Sequence, residues 1–365
     1  MRQYKGVAVG FTTPVLGRLT TTPQVDDTNS TITLTGDDLF IGAAGNGLKQ
    51  SASFKFNNLN EMPHEGDVVQ LDPSGLCTVL IESASKNNIF LLTECCNSRC
   101  ITCPQPPKQK DTHDHFGLAL SLIDLLPQGI ESITLTGGEP TLFWENLVPL
   151  IKNIRTKHPD LIVNLLTNGR VLKNYGKVAL LAEAGGNKLH VAIPLFADYD
   201  DLHDEMTGVK GSFWETVEGL YNLERCNLRI ELRFVITRLN FERLPAWAEH
   251  VYRFFPFVNH VALMGLEMMG WANENSHNIW AEPREYMTKL IEAARIFNRR
   301  GLLFSIYNYP LCILPETLRR FAYSSISEWK RKFFTICENC GQKDCCGGIF
   351  NSSASYLKDE LKPIT

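Results

Sequence analysis

The sequence has no run approaching the ~18 consecutive apolar residues that a membrane-spanning helix requires. Its first twenty residues hold no continuous apolar stretch ending in a small-residue cleavage site, so export is not expected and a cytoplasmic location is. There is no internal repeat, no low-complexity tract and no large excess of one charge: 36 Lys and Arg stand against 40 Asp and Glu, a net charge of −4. A chain so balanced has no global attraction for nucleic-acid phosphates. Neither a membrane nor a nucleic acid is therefore expected as its partner. With 44% hydrophobic and 21% charged residues, a disordered tail, a collagen-like fibre and a coiled-coil rod are excluded as well. The 365 residues suffice for two or three globular domains.

What the chain does have is cysteine. There are eleven, an odd number without an export signal, which favours metal or redox chemistry over structural disulfides. Eight of them fall in two short segments: Cys95, Cys96, Cys100 and Cys103, then Cys337, Cys340, Cys345 and Cys346. Cys77 and Cys226 are isolated and read as ordinary buried residues.

Hydrophobic patterning divides the chain in three. Residues 1–88 are rich in short alternating strands and turns, among them Thr31–Thr35 and a hairpin of Gly66–Leu71 and Thr78–Ile81 around Asp72-Pro73-Ser74-Gly75. Residues 89–300 alternate strand and helix. Strands are expected at Ile89–Thr93, Ser132–Thr136, Leu161–Leu166, His190–Ile193, Ile230–Ile236 and His260–Leu266. Helices are expected near 113–126, 147–155, 211–223, 244–254 and 283–298. That alternation implies an α/β fold with a parallel sheet and right-handed crossovers, and six units suit a partial (β/α)6-type barrel. Residues 301–365 show weak periodicity and carry the second cysteine group. They read as a small appended domain held by a metal centre.

The first group, Cys96-x3-Cys100-x2-Cys103, follows the first barrel strand, and in parallel α/β barrels chemistry sits at the C-terminal ends of strands. Three thiolates on one loop can hold three corners of an iron–sulfur cubane and leave the fourth iron open, as a catalytic metal needs. Zinc is the alternative, with Cys95, His113 or His115 as a fourth ligand. Cys95-x4-Cys100 is a second, poorer register. Thr136-Gly137-Gly138-Glu139-Pro140 ends the next strand. There the glycines permit positive φ and leave no Cβ to obstruct a ligand, while Pro140 biases Glu139 toward an extended backbone that fixes its two acceptors.

The C-x3-C-x2-C loop resembles that of the radical S-adenosylmethionine (SAM) superfamily. The resemblance implies a [4Fe-4S] cluster on Cys96, Cys100 and Cys103 whose open iron is chelated by SAM. Reductive cleavage of SAM would then give a 5′-deoxyadenosyl radical. By the same resemblance Gly137, Gly138, Glu139 and Pro140 bind the SAM amino group. Thr102, where the family often has an aromatic residue, would meet adenine through its backbone. Thr167-Asn168-Gly169 is similar to the family's third-strand end and places Asn168 among the cofactor contacts. The stretch Leu195–Asp198 with His203, Asp204 and Gly208 is similar to the region of a ribose contact, and no single residue there is assigned. Arg233 and Glu267 are candidates to face the cavity, with an ordinary salt bridge as the plainer reading of each. No catalytic side chain stands out.

Cys337-x2-Cys340-x5-Cys346, with Cys312 upstream, resembles part of the auxiliary-cluster motif of peptide-modifying radical SAM enzymes (the SPASM and twitch extensions). It implies a second [4Fe-4S] cluster on Cys312, Cys337, Cys340 and Cys346. Cys345 is an alternative to Cys346, and a zinc knuckle is an alternative to the cluster. The whole pattern, including Leu91–Glu94, Cys103–Lys108, Met264–Glu267 and Ser324–Trp329, is similar to the C-type radical SAM maturase of the His-Xaa-Ser system. That likeness implies a ribosomally made peptide or small protein with His-Xaa-Ser repeats as substrate, a partner radical SAM maturase, and an electron donor such as flavodoxin or ferredoxin. A glycyl-radical activator, a nucleoside-modifying enzyme and a non-catalytic metal-binding module are the other classes the residues allow.

Overall fold

The computed structural model describes residues 1–20, 31–35, 38–42, 52–57 and 62–365. The chain divides into two compact units, one of residues 1–92, 113–135 and 149–163, the other of residues 93–112, 136–148 and 164–365. Among the described residues no helix is long and apolar enough to cross a membrane.

The first unit opens with seven strands: β1 (Gln3–Val9), β2 (Val15–Thr20), β3 (Thr31–Thr35), β4 (Asp38–Gly42), β5 (Ser53–Phe56), β6 (Val68–Asp72) and β7 (Leu76–Ile81). They close into a barrel in the order β1-β5-β4-β3-β2-β6-β7. Closure removes free edges, and the interior is filled by Leu19, Ile32, Phe54, Phe56, Val69, Leu71, Cys77 and Val79. The expected hairpin is present, with β6 and β7 antiparallel. Its turn rests on Asp72, whose Oδ1 accepts the Ser74 N–H at 2.8 Å, and on Gly75 at φ +87°, where a Cβ would lie 2.3 Å from the Gly6 carbonyl oxygen. Cys77 is fully buried in this barrel, and burial pushes its thiol up to about 12.

Eight further strands form one sheet whose spatial order follows the chain: β8 (Asn87–Leu91), β9 (Ser132–Thr136), β10 (Ile162–Leu166), β11 (Leu189–Pro194), β12 (Arg229–Val235), β13 (His260–Met264), β14 (Phe304–Tyr307) and β15 (Ala322–Tyr323). The registers from β11 to β15 are all parallel. The sheet thus carries two strands more than the six-unit expectation, because Phe304–Tyr307 and Ala322–Tyr323 are too short to show a period. Its principal helices are α1 (His115–Asp124), α2 (Trp144–Lys157), α3 (Tyr175–Gly185), α4 (Asp200–Thr207), α5 (Ser212–Arg225) and α6 (Leu244–Phe254), followed later by Pro283–Arg300.

Within the second unit, strand alternation separates two faces. Ile230, Leu232 and Phe234 are buried, with the Phe234 ring 4.6 Å from Trp247 of α6. Glu231 and Arg233 point to the other face and bond each other at 2.6 Å. There Glu231 also meets His260 Nδ1 at 2.9 Å, and His260 Nε2 meets Ser305 at 3.0 Å. These partners, the Arg233 guanidinium and His260 among them, hold the Glu231 carboxyl down at about 2 despite its burial. Arg233 is therefore an ion-paired member of a network across β12, β13 and β14.

Candidate cluster and cofactor site

The first cysteine loop is closed at its neck by one carboxylate. Asp111 Oδ2 accepts the Thr93 hydroxyl at 2.7 Å and its Oδ1 accepts the Glu94 N–H at 2.6 Å, while Thr93 Oγ1 in turn accepts the Cys95 N–H at 3.0 Å. Cys96, Cys100 and Cys103 are each half-buried, and the sulfurs of Cys96 and Cys103 both raise the thiol pKa of Cys100. Burial is the main cause, and it pushes Cys96 up to about 11 and Cys100 up to about 12. Three thiolates crowded in so dry a place need a compensating positive centre, which is the donor chemistry of an iron–sulfur cluster. Cys96 also receives the Ser98 N–H at 3.4 Å. Cys95 works through its backbone: its carbonyl accepts the Glu139 N–H at 2.8 Å.

The glycine pair is explained by that backbone. Gly138 donates its N–H to the Thr93 carbonyl at 2.8 Å. A Cβ on Gly137, at φ +155°, would lie 2.3 Å from the Thr93 oxygen, and one on Gly138 would lie 2.2 Å from the Cys95 oxygen. The missing side chains thus admit the cysteine loop itself.

Glu139 is fully buried, and its carboxylate is engaged on both oxygens. Oε1 accepts the Thr141 N–H at 3.0 Å, the Thr141 hydroxyl and the Thr167 hydroxyl at 2.7 Å, while Oε2 accepts the Asn168 N–H at 2.6 Å. Burial pushes this carboxyl up and the four donors oppose the shift. The side chain is a strut between the ends of β9 and β10. Pro140 is buried and opens the short turn Pro140–Leu142 that Glu139 caps.

Asn168 then locks the third strand end onto the loop. Its Nδ2 donates to Asn97 Oδ1 at 2.7 Å and Ser98 Oγ at 3.3 Å, and its Oδ1 accepts the Arg170 N–H at 3.1 Å. Arg170 adds bonds to the Asn97 carbonyl at 2.5 Å and to Glu215 at 2.6 Å. Arg170 is a site residue that motif reading passed over, although it directly follows Thr167-Asn168-Gly169. Thr102 is 7% exposed, between Ile101 and Cys103.

Helix α4 holds the far side. Thr207 and Met206 carbonyls accept the N–H groups of Arg99 at 2.8 Å and Ile101 at 3.0 Å. Gly208, at φ +67°, leaves room for the Arg99 carbonyl 2.9 Å from where a Cβ would stand. Asp204 caps α5 through the Ser212 hydroxyl at 2.8 Å and the Phe213 N–H at 2.9 Å. Asp198 pairs with Arg243, at 3.1 Å to Nε. Beyond the loop, the Trp271 N–H reaches the Cys103 carbonyl at 3.0 Å and Asn275 Nδ2 reaches the Ile101 carbonyl at 3.3 Å.

His203 of α4 is 1% exposed between Phe196 and Phe213, and its Nδ1 accepts the Phe196 N–H at 3.3 Å. Burial pushes its pKa down to about 4. Between that value and the ordinary histidine range near 6.5, the unfolded chain binds a proton that the folded one does not. Stability is therefore lost as the pH is lowered through this window, by about 3 kcal/mol at its lower end. Urea midpoints from pH 7 to pH 4 should show this loss, and His203→Gln, which cannot titrate, should remove most of the slope.

The second cysteine group builds its own pocket. Cys312, Cys337, Cys340 and Cys346 line one pocket, and Cys345, exposed, is absent from its wall. Cys346 Sγ accepts the N–H groups of Leu311 and Gly348, each at 3.4 Å. Four cysteines around one pocket are the number of thiolates that a cluster with no vacant corner takes. Nearby, Glu267 is bound by Lys330 at 3.0 and 3.3 Å. Cys226 is half-buried and forms the end of α5.

Residues 90–251 match the model of the radical SAM superfamily. The chain is similar to the GTP 3′,8-cyclase of Nautilia profundicola, 29% identical over 40% of this chain and 45% of that protein. It is also similar to a probable GTP 3′,8-cyclase of Saccharolobus islandicus, 28% identical over 63% of this chain and 73% of that one. Among solved structures it is similar to SuiB of Streptococcus suis bound to S-adenosylmethionine, with a TM-score of 0.50 and 14% identity over 61% of this chain and 51% of that one. The chain thus spans about half the length of the Nautilia cyclase and of SuiB. The matched stretch spans the cysteine loop and strands β9 to β12, the chain has the radical SAM fold, and that family region implies a [4Fe-4S] cluster with S-adenosylmethionine as cofactors.

Proposed function

We propose that the protein is a radical SAM enzyme that modifies side chains of a ribosomally made peptide, the His-Xaa-Ser repeat precursor of the maturation system its sequence resembles. It would act with a partner radical SAM maturase and an electron donor such as flavodoxin or ferredoxin. The carrying observation is the second pocket, which four cysteines from residues 312–346 line, because that cysteine pattern resembles the auxiliary motif of peptide-modifying members.

In this reading Cys96, Cys100 and Cys103 hold the SAM-binding cluster, and Cys312, Cys337, Cys340 and Cys346 hold the auxiliary one. The cluster and SAM, when bound, would supply the radical chemistry for hydrogen abstraction from the substrate. The chain's own residues bind and orient. Gly137, Gly138 and Pro140 shape the cofactor shelf, Thr102 offers its backbone, and Asn168 fixes the loop against it. Glu139 contributes through its backbone, its carboxylate being spent on the strut.

Anaerobic co-expression with a His-Xaa-Ser repeat protein, followed by mass spectrometry of that protein, tests the substrate. A SAM-dependent mass change is expected, and an unmodified repeat protein beside active SAM cleavage would count against the proposal. The cyclase relatives favour one other reading, chemistry on a guanine nucleotide. Consumption of GTP by the same preparation would establish it instead. For the auxiliary site, Cys340→Ala should lower bound iron by one cluster and leave reductive SAM cleavage intact.

A further inference from the structure

Residues Leu361–Ile364 run along the wall of the four-cysteine pocket. Leu361, 6% exposed, anchors the segment in a small apolar group with Ile349 and Leu357. The Ile364 carbonyl accepts the Gly341 N–H at 2.8 Å, beside Cys340. From this fixed position the segment turns two backbone N–H groups onto sulfur. Ile364 donates to Cys340 Sγ at 3.4 Å, and the Lys362 N–H lies near enough to the Cys312 thiol to favour its ionised form. Pro363, which has no N–H, falls between them.

We propose that Leu361–Ile364 is a strap that sets the reduction potential of the auxiliary cluster and shields it, by hydrogen-bonding two of its four cysteine ligands. This rests on the auxiliary-cluster reading above. Reduction adds a negative charge to the cluster, and N–H donors aimed at its sulfurs favour that state, so each bond raises the potential. Lys332, Lys343 and Lys362 also line the pocket and act in the same direction through their charge. The strap's contribution is separable from theirs because it resides in the backbone.

The experiment uses the full chain carrying Cys100→Ala, so that iron reports the auxiliary site alone. Ile364→Pro and Lys362→Pro each delete one N–H, while Ile364→Ala and Lys362→Ala keep it. Iron and sulfide are counted, the potential is read by EPR-monitored redox titration, and iron release to a chelator is timed. Both proline variants should keep the cluster, titrate at lower potential than their alanine counterparts and lose iron faster. If Ile364→Pro does not load, Lys362→Pro is read by the same titration. A loaded proline variant with the potential of its alanine counterpart overturns the strap. Absence of iron, or its replacement by zinc, in the Cys100→Ala parent overturns the cluster reading itself, and the strap with it.

Discussion

Cys100→Ala is expected to yield a folded protein that has lost one cluster's iron and forms no 5′-deoxyadenosine above background when reduced with SAM. Cys100 is the middle cysteine of the loop, and the other two lie near enough to raise its thiol pKa. Its side chain contributes to the apolar group of Phe196, Leu202 and Met206. Its neighbours are fixed by the α4 carbonyls whether or not the sulfur is present. Removing the thiol therefore deletes a ligand without deleting the loop. Cys95→Ala is the matching control. That residue bonds Thr93 and Glu139 through its N–H and carbonyl, both of which alanine keeps. It should retain full iron and full SAM cleavage. Loss of cleavage in Cys95→Ala with retention in Cys100→Ala would place the cluster in the other register.

The motif residues stand out in the sequence because they are few and tightly spaced. C-x3-C-x2-C, Gly-Gly-Glu-Pro and Thr-Asn-Gly each mark a strand end, and the alternation of Ile230, Leu232 and Phe234 with Glu231 and Arg233 is visible in one dimension. The parts that hold the loop in place do not. Helix α4 reads Asp-Asp-Leu-His-Asp-Glu-Met-Thr, too polar and too short for a clear period. Its importance lies in two carbonyls that any sequence would supply. Likewise Asp111 is one acidic residue among many until the chain brings it back to Thr93. Neighbouring Cys345 and Cys346 differ only in which way the backbone turns them, and no spacing rule encodes that. The glycines carry a second need that the motif does not display: the backbone of residues 93–95 packs against them.

Glu139→Ala is expected to cost about 4 kcal/mol, because it strands buried donors that each cost about 1–3 kcal/mol when left unpaired. The carboxylate accepts four hydrogen bonds at a position with no solvent exposure. Four donors around one side chain mark the ionised form as the one the site is built to hold. Glu139→Gln separates the roles of charge and shape. Its amide oxygen can still serve Thr141 and Thr167, but its NH2 would face the Asn168 N–H, donor against donor. A loss intermediate between wild type and alanine is expected, together with weaker iron retention, since Asn168 holds Asn97 and Ser98 beside Cys96. Urea unfolding of the metal-free protein reads the first effect and chelator-driven iron release the second. A glutamine variant as stable as wild type would mean that the site holds a protonated acid and that the ionic strut is absent. Equal losses in both variants would mean instead that the negative charge, rather than the acceptor geometry, joins the two strand ends.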